Sequence, residues 1–194
     1  PRAPFYKMYR FILTDLNHAE EYLANYARPD KNLPDLSVVY GLKARLWMEM
    51  ASRFDQSSAD LAAAVAAEDS ASIEYDKLGI TTARECYEKA RTYARKAVSG
   101  YSPVTEAQWL STQDGFNKDN QAWMWKLGYT TREQISYMYY TFTSTVTSET
   151  NWGLAGTYGA TRMIGSALYD KMPEGDWRHY AWIDPTAAGT RSEE

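Results

Sequence analysis

Leu36–Phe54, with the sequence LSVVYGLKARLWMEMASRF, is the stretch that decides the fold. Its apolar side chains recur at spacings of three and four, which predicts an amphipathic helix. They are Val39, Leu42, Leu46, Met50 and Phe54, and the stripe is widened by Tyr40, Ala44, Trp47 and Ala51. This stripe covers well over half of the helix circumference. Since a single partner needs a narrower stripe, we expect neighbours on two sides, as in stacked helical hairpins.

Three residues of this helix carry expectations of their own. Trp47 is predicted to lie in the core. Lys43 interrupts the apolar arc, and we expect its alkyl stem to be buried while its ammonium group reaches water. Gly41 lowers the helix propensity and marks a place where another backbone can approach closely.

A second helix is predicted before this one, over residues 5–26. Its stripe consists of Phe5, Tyr9, Ile12, Leu16, Ala19 and Leu23. Residues 27–34, ARPDKNLP, contain two prolines and a turn signal, which predicts a loop. Because a short loop then joins two helices, they are predicted to form an antiparallel hairpin, with Asp35 or Ser37 capping the second helix.

Thr82–Val98 predicts the next long helix. Thr82 and Glu85 have the spacing of a capping box, in which each side chain satisfies the other residue's backbone N–H. The face predicted to point inward consists of Tyr87, Ala90, Ala94, Ala97 and Val98. Gly100 follows where a left-handed residue ends a helix. Cys86 is expected to be a small buried side chain without a nucleophilic role.

The remaining segments are less regular. Ser57 or Ser58 is expected to cap a short Ala-rich helix. Further predicted elements are a helical turn at 107–110, a strand at 121–129, a strand or extended loop at 135–146, a Gly-rich loop at 151–159, a short helix at 161–172 and a short strand before Pro185. On the strand at 121–129, Trp123 and Trp125 would share a face, which we expect to be mostly core.

Composition narrows the possible functions. A net charge of −4 and a pI near 5.3 argue against nucleic acid as the main partner. The single cysteine cannot form an internal disulfide. The chain has 16 Tyr and 7 Trp but only 5 Phe. Tyr and Trp offer an apolar face with a polar handle, so this bias is typical of surfaces that bind flat, partly polar ligands.

The helix YGLKARLWMEMASRF resembles the signature helix of the SusD/RagB family, which has a central Ala-Arg and precedes a loop. The order of later segments is also similar. A tetratricopeptide-like helix, YEKARTYARKAV, is followed by SGY, by an aromatic segment, AWMWKLGY, and by a Gly-rich loop. A short helix then precedes an Asp-x-Arg turn at Asp176-Trp177-Arg178. The resemblance rests on this order and spacing and covers nearly all of the chain.

The resemblance implies a mainly α fold, with tetratricopeptide-like helical hairpins and an irregular aromatic-rich region containing short strands. Residues 1–100 would form the helical scaffold, and residues 101–194 would form a loop-rich region packed on it. It also implies a surface lipoprotein of the outer membrane of Bacteroidetes, which binds glycan and delivers it to a SusC-like TonB-dependent transporter. The lipidated cysteine of the family is not in this sequence, so we expect the chain to be a fragment of a longer one.

The candidate glycan site lies in the Gly-rich loop. Trp152 follows Asn151, so a ring for stacking and an amide for hydrogen bonds are adjacent. Tyr158 is the expected second ring, and Tyr139 and Tyr140 are expected to contribute from the preceding segment. For each ring the alternative is a structural role at the margin of the core.

No catalytic or cofactor motif is present. His18 and His179 lack metal-ligand spacing, and the sequence contains no phosphate-binding loop, nucleophile elbow or zinc-protease motif. We therefore predict a protein that is not an enzyme and needs no cofactor. A helical glycoside hydrolase would require a carboxylate pair, for which the candidates are Glu174, Asp176 and Asp184. The main alternative is a tetratricopeptide-like scaffold that binds a peptide or protein and no sugar.

Overall fold

The structure, a computed structural model, describes residues 2–110, 120–126, 167 and 170–177. These residues are mainly helical, as predicted, and contain no strand. The helices are α1 (Phe5–Leu23), α2 (Leu36–Gln56), α3 (Ser58–Ala66), α4 (Ala83–Ala97) and α5 (Glu106–Leu110). Contacts divide the chain into two units, Pro1–Pro103 with Asp119–Leu127, and Val104–Lys118 with Gly128–Glu194.

The helix ends follow the sequence signals for capping. Asp35 begins α2 by accepting hydrogen bonds from the backbone N–H groups of Ser37 and Val38, so Asp35 rather than Ser37 is the cap. Ser57 caps α3. Thr82 and Glu85 form the predicted capping box of α4. Gly100, just beyond α4, has a φ of 87°, the left-handed conformation expected there.

Helix α2 is the centre of the first unit. It contacts α1, α3 and α4, which confirms that it packs against more than one neighbour. The buried core contains Trp47, as predicted, together with Met50, Ala51 and Phe54 of the same helix. The stripe was predicted too broad, because the side chain of Leu42 is 41% exposed.

Lys43 corrects a second expectation for α2. The whole side chain is buried, with 1% of its surface exposed, so its ammonium group does not reach water. Its Nζ donates to Asn17 Oδ1 at 2.7 Å and to the Glu20 carboxylate, both on α1. It also lies 5.2 Å from the ring centroid of Tyr93 on α4. The ammonium thus forms its polar contacts inside the helix packing.

Helix α1 confirms part of the predicted stripe, since Tyr9 is buried and Phe5 and Leu16 pack against the core. Tyr9 and Leu13 lie in the core, whereas Ile12 is 36% exposed. Arg10, which follows Tyr9 in sequence, is also buried, with 3% of its surface exposed. Its guanidinium donates to three backbone carbonyl oxygens of the segment after α3, those of Ala67, Tyr75 and Asp76. Arg10 therefore ties this irregular segment to α1.

On α4 the buried line consists of Cys86, Ala90 and Ala97. Two of the predicted inward residues, Ala90 and Ala97, are buried as expected. Tyr87 is 37% exposed, Val98 is 58% exposed and Ala94 is also exposed, so these three were assigned to the wrong side. Cys86 is fully buried, as predicted. Because Ala90 and Ala97 belong to both sets, the buried face is rotated towards Cys86 by only about 50°, half of the step between neighbouring residues.

The strand predicted at 121–129 is wrong where the structure describes it. Residues 120–126 form turns and irregular backbone. The N–H group of Trp123 donates to Asn120 O at 3.3 Å, and that of Lys126 donates to Lys31 O at 3.0 Å. These hydrogen bonds close a local turn and dock the segment on the loop between α1 and α2. They do not form a strand ladder.

Gly41 is a point of close approach, but a side chain approaches it and no backbone does. A Cβ atom at this position would lie 3.3 Å from the sulfur of Met124.

The helical turn predicted at 107–110 is present as α5. The elements predicted at 135–146, at 151–159 and before Pro185, and most of the helix at 161–172, lie outside the described residues.

None of the described helices is both long enough and apolar enough to span a membrane.

Candidate functional site

The five residues predicted to bind glycan all lie outside the described part of the chain. They are Tyr139, Tyr140, Asn151, Trp152 and Tyr158. Their assignment therefore stays a prediction.

Trp125 is the aromatic residue that the sequence placed on the wrong side. It was expected on a face that is mostly core, yet 48% of its surface is exposed. Its indole Nε1 donates to the backbone oxygen of Asn32 at 3.1 Å. The polar edge of the ring is thus fixed to the loop between α1 and α2, and a large part of the apolar surface faces solvent.

Arg28 holds the segment that carries Trp125. One terminal nitrogen donates to Met124 O at 2.6 Å, and the other donates to the hydroxyl oxygen of Tyr101 at 2.8 Å. Its Nε pairs with Asp35 Oδ2 at 3.0 Å. Only 11% of the Arg28 side chain is exposed. These charge-assisted hydrogen bonds join the α2 cap, the region after α4 and the residue before Trp125.

Further contacts hold the same segment in place. The Lys31 ammonium donates to the backbone oxygen of Asn120, and Lys31 O accepts from the Lys126 N–H at 3.0 Å. Ser37 Oγ and the Tyr101 hydroxyl are hydrogen-bonded at 2.7 Å. We call residues 28–35 and 120–126 together the Trp125 platform. Hydrogen bonds hold residues 120–126 at both ends, at Asn120 and at Lys126. The orientation of Trp125 is therefore fixed before a ligand binds.

The chemistry of the Trp125 platform suits a ligand with both an apolar face and hydroxyl groups. An exposed indole face accepts a patch of C–H groups by stacking. Polar residues lie in the α1–α2 loop to which the ring is bonded, where Asp30 is exposed and its Oδ1 accepts from the Asn32 N–H at 2.7 Å. Carboxylate and amide groups beside an aromatic ring are the usual partners of sugar hydroxyls.

The described residues contain no cluster of His, Cys, Asp and Glu that could hold a metal ion. Burial raises the pKa of the Cys86 thiol to about 11, so it is protonated at neutral pH and unsuited to nucleophilic attack. His18 lies beside Tyr22, with ring centroids 6.4 Å apart. Of the carboxylates considered for glycoside cleavage, Glu174 is exposed and Asp184 lies outside the described residues.

A local signal for the exposure of Trp125 was present in the sequence. Asn120 begins the turn that replaces the expected strand, and its Oδ1 accepts from the Ala122 N–H at 2.9 Å. An Asn side chain that bonds to the backbone two residues on favours a turn over the hydrogen-bond ladder of a strand. The partner loop at residues 28–35 also has a local turn signal, at Asp30, but nothing local identifies its partners, since its contacts with Met124 and Asn120 span more than 85 positions in sequence.

Comparisons with models of protein families, with curated proteins and with solved structures found no match to this chain.

Proposed function

We propose that this chain is a non-catalytic glycan-binding protein of the SusD/RagB type. The observation that carries the proposal is Trp125, a half-exposed indole whose N–H is bonded to Asn32 O. A pyranose ring offers a flat patch of C–H groups to such a face while its hydroxyls stay near polar groups. Because stacking on an open surface leaves much of the sugar in contact with water, the affinity is expected to be weak to moderate.

The wider proposal concerns delivery of the glycan. The helices are proposed to form tetratricopeptide-like hairpins whose outer surface docks a SusC-like TonB-dependent transporter. A lipid anchor outside this sequence would hold the protein on the cell surface. This part is supported by exposed apolar residues on α1, where Met8 is 49% exposed and Phe11 40% exposed.

The same α1 residues favour the second candidate, an interaction scaffold that binds a protein and no sugar. Exposed apolar side chains on a helix are common at protein interfaces. The two candidates differ in the location of the binding aromatic residue. A glycan requires the loop ring of Trp125, whereas a protein partner would use the helical surface of α1.

The test is a titration of the chain with a panel of polysaccharides, followed by tryptophan fluorescence and by affinity electrophoresis. Trp125→Ala is expected to weaken binding about fivefold or more, on the assumption that a sugar ring stacks about as strongly as a base, for which stacking on an aromatic ring is worth about 1–3 kcal/mol. Trp125→Phe is expected to retain part of the affinity because it keeps an aromatic face.

Tyr22→Ala is the matched control. Tyr22 is 81% exposed and lies on α1. The substitution therefore removes an exposed aromatic ring from a helix, whereas Trp125→Ala removes one from a loop. Glycan binding that survives in Trp125→Ala would refute the proposed site. Binding that is lost in Tyr22→Ala instead would favour the helical surface. The same titration with Trp152→Ala tests the site predicted from sequence.

A further inference from the structure

A groove with a volume of about 360 Å³ lies along α4, where α4 faces α2. Its walls include Trp47 from α2 and Lys89, Thr92, Tyr93 and Lys96 from α4. The volume lies at the small end of the range for ligand pockets, which is about 300–1,000 Å³. A groove of this size accommodates one or two sugar rings.

Two lysines and two glutamates, Glu85 and Glu88, line the groove, and the lysines are its cationic groups. Lys89 and Lys96 are seven positions apart on α4, so their Cα atoms are separated by about 10 Å along the axis, with Thr92 between them. Lys89 Nζ lies 4.6 Å from the ring centroid of Trp47 and donates to Leu78 O at 3.2 Å. Lys96 Nζ lies 5.0 Å from the ring centroid of Tyr40. Within the described residues neither ammonium forms an ion pair with a carboxylate.

The acidic residues of the same groove already have partners. The Glu85 carboxylate accepts from the backbone N–H groups of Thr81 at 2.6 Å and Thr82 at 2.9 Å. Glu88 pairs with Arg84 at 3.0 Å. Neither carboxylate is therefore the counter-ion of the two lysines. Their negative charge nevertheless disfavours a doubly charged ligand such as phosphate.

The aromatic side of the groove is buried. Trp47 is 2% exposed, and its Nε1 has no hydrogen-bond partner in the part of the chain that the structure describes. Two ammonium groups lie near the Tyr93 ring, those of Lys43 at 5.2 Å and Lys96 at 5.3 Å from its centroid. The Lys89 ammonium over the Trp47 ring and the Lys96 ammonium over the Tyr93 ring are held by cation–π contacts. The charged groups of the groove therefore lie directly beside its apolar wall.

We propose that this groove binds a sugar acid, with its carboxylate paired to the Lys96 ammonium and its ring lying along α4 towards Lys89, whose ammonium donates to the ring hydroxyls. The choice of a sugar rests on the proposed function. The preference for an anion rests on the two lysines, and the preference for a single charge rests on the neighbouring Glu85 and Glu88 carboxylates. The groove is distinct from the Trp125 platform, so it would select acidic residues within a glycan that the platform also binds.

The test is an NMR titration of the full chain with glucuronate, glucose and inorganic phosphate, which reads the amide signals of α4 and the Trp47 indole N–H. Glucuronate is expected to bind saturably and at least about tenfold more tightly than glucose or phosphate. Lys96→Gln is expected to weaken glucuronate binding about tenfold. Lys96→Arg is expected to retain it, and Lys89→Gln to weaken it.

Arg95→Gln is the matched control, since Arg95 is exposed on the same helix turn, does not line the groove and carries the same charge. The proposal is overturned if Lys96→Gln binds glucuronate as the parent does, if Arg95→Gln weakens binding equally, or if glucose or phosphate binds as tightly. Trp125→Ala separates the two proposals. Glucuronate binding that requires Lys96, together with polysaccharide binding unaffected by Trp125→Ala, would refute the platform and support the groove.

Discussion

Lys43 is the residue whose local contacts depart furthest from what its position in the sequence implies. Its stem packs among apolar residues, as expected, but its ammonium is also enclosed, where it pairs with Glu20 and donates a hydrogen bond to Asn17 across the helix interface. A buried ion pair adds little stability by itself, yet removing one partner is costly because the other is left in a poorly solvated place. The Glu20 side chain keeps 29% exposure, which limits that cost.

We predict that Lys43→Ala lowers the free energy of unfolding by about 3 kcal/mol, through the lost partner of Glu20 and the cavity left by the stem. Lys43→Met is expected to cost less, because it keeps most of the volume. Urea denaturation measures both. Arg45→Ala, an exposed position of the same helix, serves as the control and is expected to change stability by less than about 0.5 kcal/mol. Equal losses in Lys43→Ala and Arg45→Ala would contradict the buried pair.

Cys86 gives a prediction at high pH. Burial raises the pKa of its thiol from the ordinary value of 9.0 to about 11, with Lys89 lowering it and Glu85 raising it slightly. Because the folded state holds the proton more tightly, this stabilisation is complete below pH 9 and is lost as the pH rises towards 11. Unfolding measured at pH 8 and pH 10.5 should therefore show a smaller loss in Cys86→Ala than in the parent. Identical losses would show that the thiol does not titrate differently in the two states.

Among the elements, α4 has its start fixed most firmly by local sequence. The hydrogen bonds from the Thr81 and Thr82 N–H groups keep the pKa of Glu85 below its ordinary value. The ionised carboxylate therefore contributes stability at neutral pH, and that contribution is lost as the pH falls below about 4.5.

We predict that Glu85→Gln is less stable than the parent at pH 7 and that the difference shrinks as the pH approaches 3. Thermal unfolding across this range measures the effect. Glu88→Gln is the control, since Glu88 is one turn further on and exposed. Thr82→Ala, which removes the other half of the box, is expected to cost about 1 kcal/mol at both pH values. A pH-independent difference for Glu85→Gln would contradict the role of its charge.

The helices show which features a sequence can predict. The positions of α1 to α4 followed from apolar spacing and from caps such as Asp35 and Thr82, which are local features. The buried sides were less accurate, as Ile12 and Val98 show, because an isolated periodicity does not reveal where a neighbouring helix lies. Arg10 was not predicted to be buried, since its carbonyl partners lie more than 55 positions away.

At the scale of the whole molecule, Arg28 links parts of the first unit that are distant in sequence. It joins the α2 cap to Met124 and Tyr101. No local pattern at residues 27–34 indicates these partners, so the Trp125 platform could not be predicted from sequence. The strand expected at 121–129 is wrong over residues 120–126 for two reasons: Asn120 begins a turn there, which is a local feature, and Lys126 bonds to a loop instead of a neighbouring strand, which is not.

We predict that Arg28→Ala loosens residues 120–126 and weakens glycan binding without unfolding the helices. The loss of several hydrogen bonds to a charged group is expected to cost about 2 kcal/mol. Hydrogen exchange of the Lys126 amide, which donates to Lys31 O at 3.0 Å, is expected to accelerate while exchange within α2 changes little. Arg95→Ala is the exposed control. Unchanged exchange at Lys126 would show that Arg28 does not hold the platform.

The most direct test of the central claim is an NMR measurement of contacts between a bound oligosaccharide and the ring protons of Trp125. We predict nuclear Overhauser effects from the C–H groups on one face of a sugar ring to the Trp125 indole, and none to the ring of Tyr22. A bound oligosaccharide that shows no contact with Trp125, or a panel of glycans from which none binds, would contradict the assignment of this chain as a glycan-binding protein that uses the Trp125 platform.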